Sequence, residues 1–305
     1  MELNKEAPVD LKYIGRYEIE EIIGTGVSGF VYKAYDPKLK RHIAIKLLKE
    51  DAGNTLISRF SREICLLAQF RNDCIPLIYD MGEFEQKLFA VLEFIEGDNL
   101  ETQLLNGKVN WALGLNVVHQ CAQTLAYIHQ FTLHRDLKPT NILIHPSNRP
   151  YIVDFGCAKP NETENEHLTK QGSFLGSYQY ASIEQILGKE PGPQADIFSL
   201  GMILYETLTG ALPYEALNVG QLIMHRMNTT PESPHLIRTF IPESLSQICL
   251  KAIQRDPEER YSTMVELAQE IEQWKNSSEG ASLLKKGLCA LAPLKEPILE
   301  KSSNA

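Results

Sequence analysis

From Tyr17 onward the chain alternates between apolar and polar positions. Tyr17-Glu18-Ile19, Ile22-Ile23 and Phe30-Val31-Tyr32-Lys33-Ala34-Tyr35 are rich in β-branched and aromatic residues, and His42-Ile43-Ala44-Ile45-Lys46-Leu47-Leu48 repeats the pattern. With Gly24-Thr25-Gly26-Val27-Ser28-Gly29 between the second and third runs, this predicts a meander of strand, glycine turn, strand, turn and strand. The period changes over Arg59 to Ala68. Phe60, Ile64 and Leu67 recur at helical spacing, and Glu63 lies within reach of that stripe. Leu77 to Asp80 and Leu88 to Glu93 predict two more strands, with Met81 to Lys87 as their turn. Beyond Leu100 the pattern is helical. Trp111, Leu113 to Val118 and Cys121 to Tyr127 make one long amphipathic helix ending near His129-Gln130, and Met202 to Leu208 belong to a thoroughly apolar one.

The ends and one interior stretch lack periodicity. Residues 1–16 are polar and read as a loose leader. Between Asp154 and Glu184 lies a long polar loop, and loops of that length inside a domain are usually functional or mobile. Ser277, Ser278 and Gly280 suggest a linker into a tail, 276–305. Within it Ala281 to Leu294 predict a short helix limited by Pro293 and Pro297. No internal repeat is present.

Composition narrows the class. The chain has 305 residues, 43% hydrophobic and 23% charged, ordinary for a globular protein. A formal net charge of -9 argues against nucleic acid or an anionic membrane as partner. No apolar run approaches the ~20 residues needed to span a bilayer. Cys65, Cys74, Cys121, Cys157, Cys249 and Cys289 form no C-x-x-C pair, which argues against zinc and disulfides and for a reducing, cytoplasmic setting. His119 and His129 lack i, i+4 ligand spacing and read as packed histidines.

The densest chemistry is His134-Arg135-Asp136-Leu137-Lys138-Pro139-Thr140-Asn141. Pro139 disfavours a helix there, so Asp136, Lys138 and Asn141 can converge from a loop. Tyr151-Ile152-Val153-Asp154-Phe155-Gly156 follows as a short apolar strand ending in a second carboxylate. Two carboxylates and an amide suit a site for Mg²⁺ and phosphate. The glycines at 24, 26 and 29 let a backbone approach phosphate oxygens. They lead into a strand rather than a helix, unlike a dinucleotide-binding turn, and no G-x-x-x-x-G-K-[ST] occurs.

These stretches resemble the eukaryotic-type serine/threonine protein kinases, with the bacterial members nearest. His134 to Asn141 matches H-R-D-L-K-P-x-N, Asp154-Phe155-Gly156 matches D-F-G, Gly24 to Val31 matches G-x-G-x-x-G-x-V, and Ile43-Ala44-Ile45-Lys46 matches V-A-I-K. The resemblance spans about Tyr17 to Trp274. It implies an α+β bilobal kinase-like fold, with an N-terminal lobe (17–97) of five antiparallel strands plus one helix, and a mainly α-helical C-terminal lobe (98–275).

The implied reaction moves the γ-phosphoryl group of ATP to a serine or threonine hydroxyl of a protein. Asp136 accepts or orients the hydroxyl proton, and Lys138 neutralises charge on the γ-phosphate. Lys46, fixed by Glu63, anchors the α- and β-phosphates. Asn141 and Asp154 hold Mg²⁺, with Mn²⁺ as a substitute. Gly24, Thr25, Gly26, Val27, Ser28 and Gly29 cover the phosphates. Val31, Ala44, Leu92, Glu93, Ile95 and Leu143 surround the adenine. All these groups are expected around one nucleotide.

The same resemblance makes the loop after Asp154 an activation segment. Thr169 is the leading phosphorylation candidate, Ser173 and Thr163 follow, and Arg135 is the cationic receptor. Autophosphorylation in trans through a homodimer fits this pattern. Gly176 to Gln185 matches G-T-x-x-Y-x-S-P-E-Q, with Ser177 for the threonine, but Ile183 replaces the proline. The expectation is a looser substrate-docking loop. Asp196 is expected to bond the catalytic-loop backbone and Arg260 to pair with Glu184. Two rival readings are a non-catalytic nucleotide-binding scaffold and a kinase of small molecules or lipids. The first is disfavoured by the presence of Lys46, Asp136 and Asp154.

Overall fold

The computed structural model describes residues 11–26, 29–49, 53–155 and 178–287. Contacts divide the chain into two compact units, Met1–Glu96 and Gly97–Ala305.

In the first unit, strands β1 (Tyr13–Ile14), β2 (Tyr17–Thr25), β3 (Gly29–Asp36), β4 (Arg41–Leu48), β5 (Ile78–Phe84) and β6 (Lys87–Glu93) form an antiparallel sheet. Its order is β1-β2-β3-β4-β6-β5. Helix α1 (Asn54–Leu67) intervenes between β4 and β5. Alternation sorts the side chains. Phe30, Tyr32 and Ala34 of β3, with Ile43, Ile45 and Leu47 of β4, pack with Ile14, Tyr17, Phe89 and Val91 into one core. Each such large side chain contributes ~1.5–3 kcal/mol by leaving water. The opposite face follows from register: Val31 lies across from Lys46, and Ala44 across from Leu92.

Two expectations change here. The sheet gains a sixth strand, because Tyr13–Ile14 pair with Glu18 and Tyr17 and Ile14 is fully buried. The end of the expected leader is therefore structural. Met81 to Lys87 is not a turn either. β5 runs to Phe84, and Glu85 (φ 48) and Gln86 (φ 63) alone reverse the chain, as a two-residue hairpin loop requires.

The second unit contains β7 (Asp98–Asn99), β8 (Ile142–Ile144) and β9 (Pro150–Ile152) in one small sheet. Its helices are α2 (Leu100–Leu105), α3 (Trp111–Ile128), α4 (Ile183–Ile186), α5 (Pro193–Thr209), α6 (Val219–Asn228), α7 (Pro234–Ile237), α8 (Glu243–Ala252), α9 (Met264–Asn276) and α10 (Ser278–Gly287). Helix α5 is buried nearly all round and packs against α3, α8 and α9. Such a helix reads as continuous hydrophobicity rather than as a stripe. Pro193 starts it, where a missing N–H costs nothing, and Gly210 ends it in the left-handed region (φ 83).

The expected linker after Asn276 is replaced by structure. Only Ser277 separates α9 from α10, and α10 packs on α9 and α3. Gly280 is buried where any Cβ would lie 2.1 Å from the Trp274 carbonyl oxygen, so glycine here permits close packing. Among the described residues no helix is long and apolar enough to cross a membrane. Of the described cysteines, Cys121 and Cys249 are buried and Cys65 is exposed.

Candidate active site

The loop from His134 to Asn141 is shaped by α5. Asp196, in the first turn of that helix and 1% exposed, accepts hydrogen bonds from the His134 N–H (2.7 Å) and the Arg135 N–H (2.8 Å). His129 Nε2 also bonds it, at 2.9 Å. Burial alone would raise the Asp196 carboxyl. The His129 bond, chiefly, with the His134 backbone donor, holds it below its ordinary range instead. These bonds fix Arg135 in the left-handed region (φ 65), which residues with a side chain rarely adopt.

His134 is fully buried, and burial lowers its pKa. A neutral ring satisfies both neighbours: Nδ1 accepts from the Asp136 N–H (3.4 Å), and Nε2 donates to the Val153 carbonyl (3.2 Å). The ring also packs 4.9 Å from that of Phe155. Pro139–Asn141 then make a short 3₁₀ turn. Asn141 Nδ2 donates to the Asp136 carbonyl (2.8 Å), and Lys138 Nζ donates to Asp136 Oδ2 (3.1 Å). The Val153 N–H bonds the Asn141 carbonyl (3.0 Å), so the turn and the residue before Asp154 are tied together. Asp154 follows, exposed and left-handed (φ 54). Asp136, Lys138, Asn141 and Asp154 are thus linked through one hydrogen-bonded frame. Asn141 turns its NH₂ toward Asp136, and its Oδ1 lies 3.5 Å from the Thr140 hydroxyl.

In the first unit, Lys46 Nζ and Glu63 Oε1 lie 3.0 Å apart, with side chains only 13% and 5% exposed. Glu63 reaches the sheet from α1. Val31, Ala44 and Leu92 share the face of the sheet that carries Lys46. Gly24 and Thr25 end β2, and the Gly26 N–H bonds the Gly29 carbonyl (2.9 Å). At Gly29 an added Cβ would sit 2.1 Å from the Leu47 carbonyl oxygen, so this glycine lets β3 close on β4. Glu93 bonds Leu77 twice, through its N–H (2.8 Å) and its carboxylate (3.2 Å). Ile95 is buried, and in the second unit Leu143 is half-buried in β8 between Asn99 and Tyr151. Val27, Ser28, Thr163, Thr169, Ser173 and Ser177 lie outside the described residues.

The stretch around Ile183 is tied down, contrary to the expectation of looseness. Ile183 opens α4, a position where proline and isoleucine are both accommodated. Gln185 Oε1 accepts from the Ser182 N–H (3.0 Å), and its Nε2 donates to the Arg135 carbonyl (2.9 Å). Glu184 meets Arg260 inside the fold. Tyr180 donates to Glu206 at 2.7 Å. Gln185, Glu206, Arg226 and Lys49, which bonds the Gly26 carbonyl at 2.8 Å, were not singled out from the sequence. The S-x-x-Q spacing of a capping box could have flagged Gln185. The others bond distant partners and leave no local pattern.

The chain is similar to known proteins over nearly all of this structure. The family described as protein kinase domain matches residues 17–275. The serine/threonine-protein kinase PrkC of Bacillus subtilis is 34% identical over 261 residues, covering 84% of this chain and 40% of PrkC. The serine/threonine-protein kinase PknB of Mycobacterium tuberculosis is 31% identical over 264 residues, covering 84% of this chain and 42% of PknB. The chain therefore spans about two fifths of the length of these relatives. The crystal structure of the Mycobacterium tuberculosis PknI kinase domain aligns with a TM-score of 0.64 at 22% identity, covering 86% of this chain and 97% of that one, a likeness of fold. Family match, curated relatives and fold agree: the chain belongs to the protein kinase domain family.

Proposed function

We propose that this chain transfers the γ-phosphoryl group of ATP to serine and threonine hydroxyls of proteins. The observation that carries the reading is the Asp136 frame: a carboxylate held by Lys138 at 3.1 Å and flanked by Asn141, on a loop pinned to Asp196. In this reading the acceptor oxygen bonds to the γ-phosphorus as the bond from phosphorus to the ADP oxygen breaks, and Asp136 takes the acceptor's proton. Phosphoryl transfer needs positioning and charge neutralisation more than covalent chemistry from the protein. Lys138 supplies charge beside Asp136. Lys46, kept extended by Glu63, would engage the α- and β-phosphates. Val31, Ala44, Leu92, Glu93, Ile95 and Leu143 would receive the adenine, and the glycines at 24, 26 and 29 would cover the phosphates.

Asn141 and Asp154 fit a divalent cation of the Mg²⁺ type, because an amide oxygen and a carboxylate form a hard, all-oxygen donor set. When bound, such an ion neutralises phosphate charge. Thr169 would be a phosphorylated position, with trans-autophosphorylation as its route. The scattered cysteines, with no C-x-x-C pair, fit a reducing compartment. The test is incubation with labelled ATP, Mg²⁺ and a panel of proteins, followed by mass spectrometry before and after phosphatase. Phosphoserine or phosphothreonine is expected, with a loss of orders of magnitude in Asp136→Asn. Absence of transfer by the unaltered chain, or undiminished transfer by the variant, overturns the reading.

A further inference from the structure

Arg226 is an unusual buried cation. It lies on α6 and is 3% exposed, yet among the described residues no carboxylate stands within ion-pair distance of it. Its two Nη atoms instead donate to the backbone carbonyls of Ala181 and Gln179, across 45 and 47 residues of chain. The guanidinium lies 5.2 Å from the Phe198 ring centroid and 5.8 Å from that of Tyr214. Burial draws its pKa down to about 10, so it remains charged at neutral pH. A planar fork on two carbonyls spaced i and i+2 fixes both position and direction of the backbone between them, which an ammonium cannot do.

The residue between those carbonyls is Tyr180, which donates to Glu206 at 2.7 Å. Five residues past Tyr180, Gln185 bonds the carbonyl of Arg135, the neighbour of Asp136. The backbone held by Arg226 is thus connected in short steps to the proposed catalytic carboxylate. Arg226 itself touches none of the residues assigned to nucleotide or metal.

We infer that Arg226 is a positioning residue for the protein acceptor: it holds residues 179–181 where an incoming polypeptide docks, and so governs acceptor affinity rather than nucleotide handling. The inference rests on the proposed kinase reading. It makes α6 the element through which acceptor docking is set, although α6 contributes no catalytic group.

The test compares the full chain with Arg226→Met and Arg226→Lys. The acceptor is the best protein substrate from the panel, and ATP and acceptor are varied separately. Leaving two half-buried carbonyls without the Arg226 fork is expected to raise the acceptor KM of Arg226→Met about tenfold or more, with the ATP KM within about twofold. Arg226→Lys, which can serve one carbonyl, is expected to lie between. If Arg226→Met fails to fold, the same split between the two KM values in Arg226→Lys decides the matter. An unchanged acceptor KM overturns the inference, as do equal losses for ATP and acceptor that track a lowered melting temperature. Failure of the unaltered chain to phosphorylate any protein sinks the kinase reading itself, and is distinguishable because it appears before any variant is made.

Discussion

Arg260 donates from Nη1 to Glu184 Oε1 at 2.7 Å and from Nη2 to Glu184 Oε2 at 3.1 Å, closing a bidentate pair across 76 residues of chain. Burial alone would raise the Glu184 carboxyl, and the Arg260 bonds hold it below its usual range. Arg260 also donates to the carbonyls of Gln254, Gln194 and Arg255, so its donors are fully used. Removing one partner strands the other inside. Arg260→Ala or Glu184→Ala is expected to cost ~3–5 kcal/mol, measured by urea unfolding. The double replacement should cost less than the sum of the two single ones.

Glu206 predicts an opposite pH dependence. Burial raises its carboxyl to about 7, against a partial lowering by the Tyr180 bond, with Glu101 adding repulsion. A carboxyl raised on folding binds its proton more tightly in the folded state. Stability is therefore expected to fall as pH rises from about 4.5 to about 7, by on the order of 3 kcal/mol, and to level off above. Glu206→Gln should abolish that slope, as read from urea midpoints across the same pH range. A slope unchanged in the variant would assign it to other groups.

Two glycines of the proposed phosphate cover should part company. A methyl at Gly29 would strike the Leu47 carbonyl, whereas one at Gly26 meets nothing nearer than the Gly29 oxygen at 4.0 Å. Gly29→Ala is expected to lower the melting temperature by several degrees, and Gly26→Ala to leave it within about one degree, both by calorimetry.

The Lys46 and Glu63 pair tests the nucleotide assignment. Lys46→Met is expected to lower phosphoryl transfer at least a hundredfold, in the range seen when one charge-stabilising donor is removed. Glu63→Gln should lower it less, about tenfold, because an amide oxygen can still accept from Lys46. Steady-state kinetics with varied ATP measures both. Transfer by Lys46→Met within a few-fold of the unaltered chain would remove Lys46 from the site.

What could be read from residues alone follows from how local each feature is. The helix around Phe60, Ile64 and Leu67 showed its stripe, and with it Glu63 came to face Lys46. Strand β4 displayed its alternation because Ile43, Ile45 and Leu47 are all buried. Strand β5 did so only as far as Asp80, since it is an edge strand with no fully buried residue, so its Gly82 and Glu83 looked like a turn. Tyr13–Ile14 is too short to carry a period. Ser277 to Gly280 resembled a linker in composition, yet Gly280 serves close packing against the Trp274 carbonyl. Arg226 and Glu206 act on partners at least 26 residues away, one of them through backbone carbonyls identical in every sequence.

The left-handed backbone at Arg135 and at Asp154 has a consequence for the loop's autonomy. Each such residue opposes its own preference by ~1–2 kcal/mol, so a peptide copied from this stretch would relax to another shape. The geometry of the proposed catalytic loop is on loan from helix α5, whose Asp196 is bonded across 61 and 62 residues of chain and lies deep in the helical unit. Chemistry and cooperative folding are thereby made inseparable: the loop can hold its form only while the interior that lends it remains intact.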